Sequence, residues 1–365
     1  MKHVAFADDL GGGSKLEKLR EWWDRCGEYG PAMGYYPKAS KSWLVVKEKD
    51  KQRAEELFRD TKINITTVGR KYLGGFIGSN DGSEDYMGEL VKEWVEELET
   101  MSKIAKSEPQ AAYSAFTAGF RHKITYFIRT IPNVAEIIKP LDDVIDNKFI
   151  PAITEGHTCS KMERDLFALP VRLGGMGIPI FSELSVKEYA NSRAVTQELR
   201  IKIQRQEKDL VVDRVREREI ENMIRKTRDD YQKEQLTEIR TKMNKEQLRA
   251  NDIAQMKGAS AWLTALPLKD EGYQLNKREF FDAVALRYRW AIKRLPIMCV
   301  CGKNFNPDHA NTCLKGGFIH RRHDQLRDLI GELVDEVAYD VKIEPDLEPL
   351  TGETLRSTAN LDKEE

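Results

Sequence analysis

Hydrophobic and polar positions divide the chain into stretches of different period. In the first eighty residues, short apolar runs alternate with a helical spacing. His3 to Phe6 reads as a strand that turns through Asp8 and Asp9. Leu16, Leu19, Trp23 and Cys26 then fall on one helical face, Ser14 and Glu17 stand at capping-box spacing, and Gly30-Pro31 ends the run. Ser42 to Val46 reads as a strand and Asp50 as the cap of a helix reaching about Phe58, while Ile63 to Val68 and Tyr72 to Ile77 read as paired strands. The predicted order is β-α-β-α-β-β.

From Ser83 the period is helical: Leu90, Trp94, Leu98 and Met101 lie three or four residues apart, and Glu108-Pro109 breaks the run. A second helix carries Tyr113, Phe116, Phe120 and Phe127, after which Pro132, Pro140 and Pro151 are expected to cut the chain into short helices. Leu173-Gly174-Gly175-Met176-Gly177-Ile178-Pro179 predicts a tight turn beneath apolar cover. Between Glu188 and Arg249, Arg, Lys, Glu and Asp alternate densely with thin apolar punctuation, the pattern of a long exposed helix or helical hairpin. Apolar segments at Ala259 to Leu268 and Phe280 to Leu295 lead into a cysteine cluster, and the tail lacks periodicity. The expected fold class is α+β. Its parts are a small β-sheet with helices (1-80), a helical domain (81-187), a charged helical connector (188-256), a helical linker with a cysteine module (257-345) and a disordered tail (346-365).

Composition narrows the partners. The 59 Lys and Arg balance 60 Asp and Glu, so no whole-chain field holds a polyanion and nucleic-acid contact must rest on local patches. No apolar run suits a membrane span and the start does not read as a signal peptide, so a soluble intracellular chain with no membrane partner is expected. Three of the five cysteines, Cys299, Cys301 and Cys313, crowd into one stretch, which favours metal binding over a disulfide framework. With His309 they offer three thiolates and an imidazole at gaps short enough to wrap one zinc ion; the alternative is a set of buried thiols beside an unrelated histidine. His320 and His323 could substitute as ligands or stand exposed on a basic helix start.

Asp8 and Asp9 follow an aromatic and β-branched run and precede a turn, where paired carboxylates can bind divalent cations. Two-metal phosphoryl transfer needs such ligands to hold ions about 3.5 to 4 Å apart. The other acidic pairs, Asp142-Asp143 and Asp229-Asp230, sit in helical patterns and read as solvated faces. Arg121, Lys123 and Arg129 interleave with aromatics, either to track a phosphate backbone or as ordinary surface charge of an amphipathic helix. Arg287, Arg289, Lys293 and Arg294 form a second basic stretch.

His3-Val4-Ala5-Phe6-Ala7-Asp8-Asp9-Leu10 resembles motif C, the Tyr/Phe-x-Asp-Asp hairpin of reverse transcriptases. Three further words follow in that family's order. Gly34-Tyr35-Tyr36-Pro37-Lys38-Ala39-Ser40-Lys41-Ser42 resembles motif D, where a lysine at the position of Lys41 assists the leaving pyrophosphate. Arg70-Lys71-Tyr72-Leu73-Gly74 resembles motif E, the hairpin that grips the primer, and Leu173 to Gly177 is similar to a segment near the end of the thumb in non-LTR retrotransposon polymerases. The Cys-Cys-His-Cys set resembles the knuckle of elements with a restriction-like endonuclease, whose last gap is usually one residue longer. Gly316 to Asp324 resembles the basic stretch that follows it.

The resemblance implies a partial reverse-transcriptase palm, a helical thumb and connector, and a small zinc knuckle. It implies catalytic roles for Asp8, Asp9 and Lys41, with Mg²⁺ on Asp8 and Asp9 and Zn²⁺ on Cys299, Cys301, His309 and Cys313. It further implies nucleic-acid contacts at Tyr72, Leu73, Gly74, Arg121, Lys123, Arg129, Arg321 and Arg322. The partners implied for the full-length ancestor are an RNA template and a DNA primer or target, and the location is nuclear if it acts in retrotransposition. The family's motif A aspartate and fingers belong upstream of residue 1, so the chain alone is expected to be inactive as an RNA-directed DNA polymerase. The alternatives are a zinc-dependent nucleic-acid-binding or interaction module, or a decayed transposon-derived product. The oligomeric state stays open.

Overall fold

The computed structural model describes residues 1–7 and 9–344, and the fold is α+β. The chain divides into two units, Met1–Ala291 and Ile292 onward. The expected tail, 346-365, lies outside the described residues.

The first unit opens with β1 (Lys2–Phe6) and β2 (Asp9–Gly13), an antiparallel hairpin in which Phe6 faces Asp9. Ala7, which follows the first strand, stands at φ 53°. Asp9 thus begins the second strand rather than sharing the turn, and Asp8 lies outside the described residues. Helix α1 (Leu16–Tyr29) has Lys15 in the cap position without a side-chain bond. The expected Ser14–Glu17 capping box does not form, because Ser14 stands one residue too early.

β3 (Trp43–Val45) and β4 (Asn64–Thr66) are parallel neighbours joined through α2 (Lys51–Leu57). Leu44, Ala54 and Phe58 are buried between them, under Leu16, Leu19 and Trp23 of α1. The expected pairing of 63–68 with 72–77 is corrected: β5 (Gly69–Tyr72) pairs with β6 (Gly75–Gly78). The turn decides this, since Leu73 and Gly74 at φ 48° and 77° close a two-residue loop. β4 is left to add beside β3, the parallel pairing that its crossover helix permits.

Helix α3 (Asn80–Ala105) starts where the Ser79 hydroxyl accepts from the Gly82 amide at 3.0 Å, and it buries Met87, Val91, Trp94 and Leu98 along one stripe. Helix α4 (Pro109–Ala115) continues through a π turn, Phe116–Phe120, into α5 (Arg121–Thr130). Helix α6 (Ala135–Val144) continues likewise through Ile145–Phe149 into α7 (Ile150–Ile153). Pro140 therefore does not cut the chain; the carbonyl its missing N–H frees belongs to Glu136, which is exposed to water. Asp142, expected on a solvated face, is buried and accepts from the amides of Phe181 and Ser182 at 2.8 and 2.9 Å. Burial pushes its carboxyl up against those bonds.

The rest of this unit comprises α8 (Lys161–Ala168), α9 (Phe181–Val195), α10 (Gln197–Arg205), α11 (Arg214–Thr241), α12 (Lys245–Gln255), α13 (Ala261–Thr264) and α14 (Lys277–Tyr288). Leu236 and Ile239 of α11 and Phe280 and Val284 of α14 enter the same core as Trp94, Phe116 and Phe149. Connector and linker therefore share the core of the helical domain, and α9 runs through the expected boundary at 187/188. Glu188 within it is 3% exposed and ties α5 to α11 through Arg129 at 2.6 Å and Arg228 at 2.9 Å. No residue of α10 is buried, and most of the first half of α11 is exposed.

The glycine-rich turn sits at the centre of these helices. Its carbonyls accept from side chains of distant elements: Leu173 from Asn251, Gly174 from Tyr288, Gly175 and Val171 from Arg287, and Met176 from Tyr113. Gly177 accepts from Arg121, and Ile178 and Pro179 from Arg164. A β-carbon on Gly175 would lie 2.0 Å from the Leu169 carbonyl oxygen, so no side chain fits there. No described helix is long and apolar enough to cross a membrane.

Candidate metal centre

The second unit has almost no apolar interior: between 292 and 344 the buried residues are Cys299 and Cys313, at 8% and 6% exposure. The chain reaches them by a tight knuckle. Met298 bridges Asn304, the Cys299 amide donates to the Lys303 carbonyl at 2.8 Å, and Gly302 supplies the left-handed turn at φ 83°. Asn306 caps the short helix α15 (Pro307–Ala310), its side chain accepting from the His309 amide at 2.7 Å, and so aims His309. After Cys313, Gly316 and Gly317 turn the chain into α16 (Phe318–Asp335).

This brings one ligand atom from each of Cys299, Cys301, His309 and Cys313 within 4.8 Å of all the others. The Cys299 and Cys313 sulfurs are 3.7 Å apart, and the Cys301 sulfur lies 3.2 Å from His309 Nε2. Zn–S bonds of about 2.3 Å give a tetrahedron with edges of about 3.8 Å, so these two pairs stand within a few tenths of an ångström of that spacing, and separations elsewhere in the set, up to 4.8 Å, close on one ion by shifts of at most about 1 Å. The 3.7 Å separation is far beyond a disulfide bond. Burial raises the Cys313 thiol, but hydrogen bonds from Cys299, from the Lys315 and Gly316 amides and from Cys301 outweigh it and hold the thiol below its usual range. The cluster could hold a metal such as zinc. His309 is the histidine of the set, and His320 and His323 stand exposed on α16.

The surface of this module is basic, with Lys293, Arg294, Lys303, Lys315, Arg321 and Arg322 against Asp308 alone between 292 and 323. Arg321 and Arg322 are exposed in the first turn of α16, and Arg322 reaches Asn311 at 3.5 Å. Arg287, expected in a basic stretch leading into the module, is instead buried in α14, donating to Ser260 and to the glycine-rich turn.

The chain matches no family model, no curated protein and no solved structure.

In the first unit, Asp9 is exposed at the head of β2. Burial, then the Asp9 charge, raises the Tyr72 phenol, whose buried oxygen has no hydrogen-bond partner among the described residues. A β-carbon on Gly11 would meet that oxygen at 3.0 Å, so the β1–β2 hairpin lies against Tyr72. Leu73 and Gly74 form the tip of the β5–β6 hairpin, where Tyr126 of α5 donates to the Leu73 carbonyl at 2.5 Å. Lys41 is exposed at the end of a single 3₁₀ turn, Ala39–Lys41, and its ammonium has no ion pair among the described residues. The basic face of α5 is committed internally: Lys123 to Glu97 at 2.7 Å, Arg129 to Glu188, and Arg121 to Gly177. Among the described residues, Asp9 belongs to no group of three or more metal-type ligands.

Spacing located the four ligands but not the residues that aim them. The signals were local: Asn306-Pro307 is a cap followed by a first-turn proline, and Gly316-Gly317 permits the amide turn at Cys313.

Proposed function

We propose that the chain is the palm-to-knuckle segment of a non-LTR retrotransposon reverse transcriptase, and that its self-sufficient activity is zinc-dependent nucleic-acid binding by the module after Ile292. The single observation that carries this is the closed set of four ligand atoms within 4.8 Å, in a unit whose buried residues are two of those ligands. Such a unit folds around its metal, and folding presents the basic stretch between 292 and 323. The β1–β2 hairpin, whose second strand begins at Asp9, packs against Tyr72 of a second tight hairpin and supports the palm reading. Asp8 and Asp9 would supply two Mg²⁺ ligands and Lys41 a proton donor, and nucleotide addition needs a further carboxylate.

The test has two arms. Zinc content near one ion per chain, with fluorescence anisotropy on labelled single-stranded RNA and DNA, should give binding that weakens steeply with salt and is abolished by a chelator or by Cys301→Ser. Four to six phosphate contacts correspond to a log–log salt slope of about −3 to −4 on a single strand. Zinc-loaded protein that binds neither strand overturns the binding activity. In primer extension with Mg²⁺ or Mn²⁺ the chain should be inert, and template-dependent synthesis lost on Asp9→Ala would refute that inertness.

A further inference from the structure

Helix α16 carries an apolar face that the described residues leave about half exposed, with Ile343 packed only at its edge, against Gly331. Leu326, Leu329, Ile330, Leu333 and Val334 are 40–58% exposed, and Val337 just beyond the helix is 85% exposed. Their spacing is that of one helical stripe, an arc of about 140° at 100° per residue. An uncovered run of this kind marks an association surface. Charge along the helix is uneven. Arg321, Arg322 and two histidines outnumber Asp324 at its start, Arg327 lies mid-helix, and Asp328, Glu332, Asp335 and Glu336 follow towards its end.

We propose that this face is a self-association surface on which α16 of a second copy of the chain lies antiparallel. A two-fold axis near Leu329 and Ile330 sets Leu326 of one copy opposite Leu333 of the other, and the Leu329–Ile330 pair against itself. The same axis sets Arg322 of each copy near Glu336 of the other, so the basic start meets the acidic end twice. A parallel pair would stack like charges along its whole length, which is the repulsive alternative. An 18-residue helix is about 27 Å long and about 10 Å wide, so each copy covers a few hundred Å², below the roughly 800 Å² per partner of a stable complex and in the range of weak, transient contacts. The expected dimer is accordingly weak, with dissociation in the micromolar range.

Sedimentation equilibrium on the zinc-loaded full chain, from about 1 to 200 μM, tests this against the range where such interfaces dissociate. A monomer–dimer equilibrium is expected, with Leu333→Asp raising the dissociation constant at least about thirtyfold by burying a carboxylate at the seam. Arg322→Glu and Glu336→Arg should each weaken the dimer about fivefold, and the double variant should return to within about threefold of the parent. Zinc content and far-ultraviolet circular dichroism of each variant verify folding. A chain that stays monomeric throughout overturns the proposal, and so does association indifferent to Leu333→Asp. A double charge swap that fails to recover overturns the antiparallel arrangement. If another part of the same chain covers the face, the protein remains monomeric and Leu333→Asp lowers its melting temperature, which also refutes self-association.

Discussion

Chelating zinc should unfold the region from Ile292 to Glu344 while the first unit stays folded. The two buried cysteines contribute at most about 2–3 kcal/mol through apolar burial. Structural zinc in a small module contributes an apparent 10–16 kcal/mol or so. The metal therefore dominates the stability of this unit several-fold, and no apolar interior remains when it leaves. The first unit instead has an extensive core, with Trp94, Phe116, Phe149, Phe167 and Phe280 fully buried. Hydrogen–deuterium exchange read by mass spectrometry separates the two. With zinc, the amides of Cys299 and Phe305, bonded to Lys303 and Ile297 at 2.8 and 2.9 Å, should be protected. After chelation they should exchange within seconds, while peptides from α3 to α9 keep their protection. Retained protection at Cys299 and Phe305 in metal-free protein would refute the reasoning, as would loss of protection across both units.

Four other outcomes probe the first unit. Gly175→Ala places a β-carbon 2.0 Å from the Leu169 carbonyl and 2.5 Å from that of Leu166, and should cost about 3 kcal/mol or more in urea denaturation. Arg287→Met strips donors from the Val171 and Gly175 carbonyls and from Ser260, for a loss of about 3–5 kcal/mol by the same measurement. Burial pushes the Glu163 carboxyl up, but bonds from the Ser160 amide, the Trp290 indole and the Ser160 hydroxyl, with His157, outweigh it and hold it below the usual glutamate range. Stability from this group is therefore present above its unfolded pKa and lost as pH falls through the lower folded one, so Glu163→Gln should flatten the acid limb of a melting-temperature profile. Burial, then the Glu163 charge, pushes the Cys159 thiol up to about 12, so iodoacetamide at pH 8 should modify it only after denaturation, as peptide mapping would report.

By itself the sequence determined what local geometry controls. The 3.6-residue stripe of α3 and the break at Glu108-Pro109 both follow from side-chain period and turn chemistry. The four zinc-type ligands were legible for the same reason, since all lie within fifteen residues and a short knuckle can gather them without help from elsewhere. Only the tertiary structure decided which strand lies beside which. β4 and the first strand of the next hairpin look alike in pattern, and the parallel crossover to β3 separates them. It also decided that Arg287, Arg129 and Asp142 serve the interior: each answers a backbone group or charge between about 40 and 116 residues away, which no window of sequence contains. A buried carbonyl must find a donor wherever the chain brings one, so polar residues that read as surface charge became the clamps of the core.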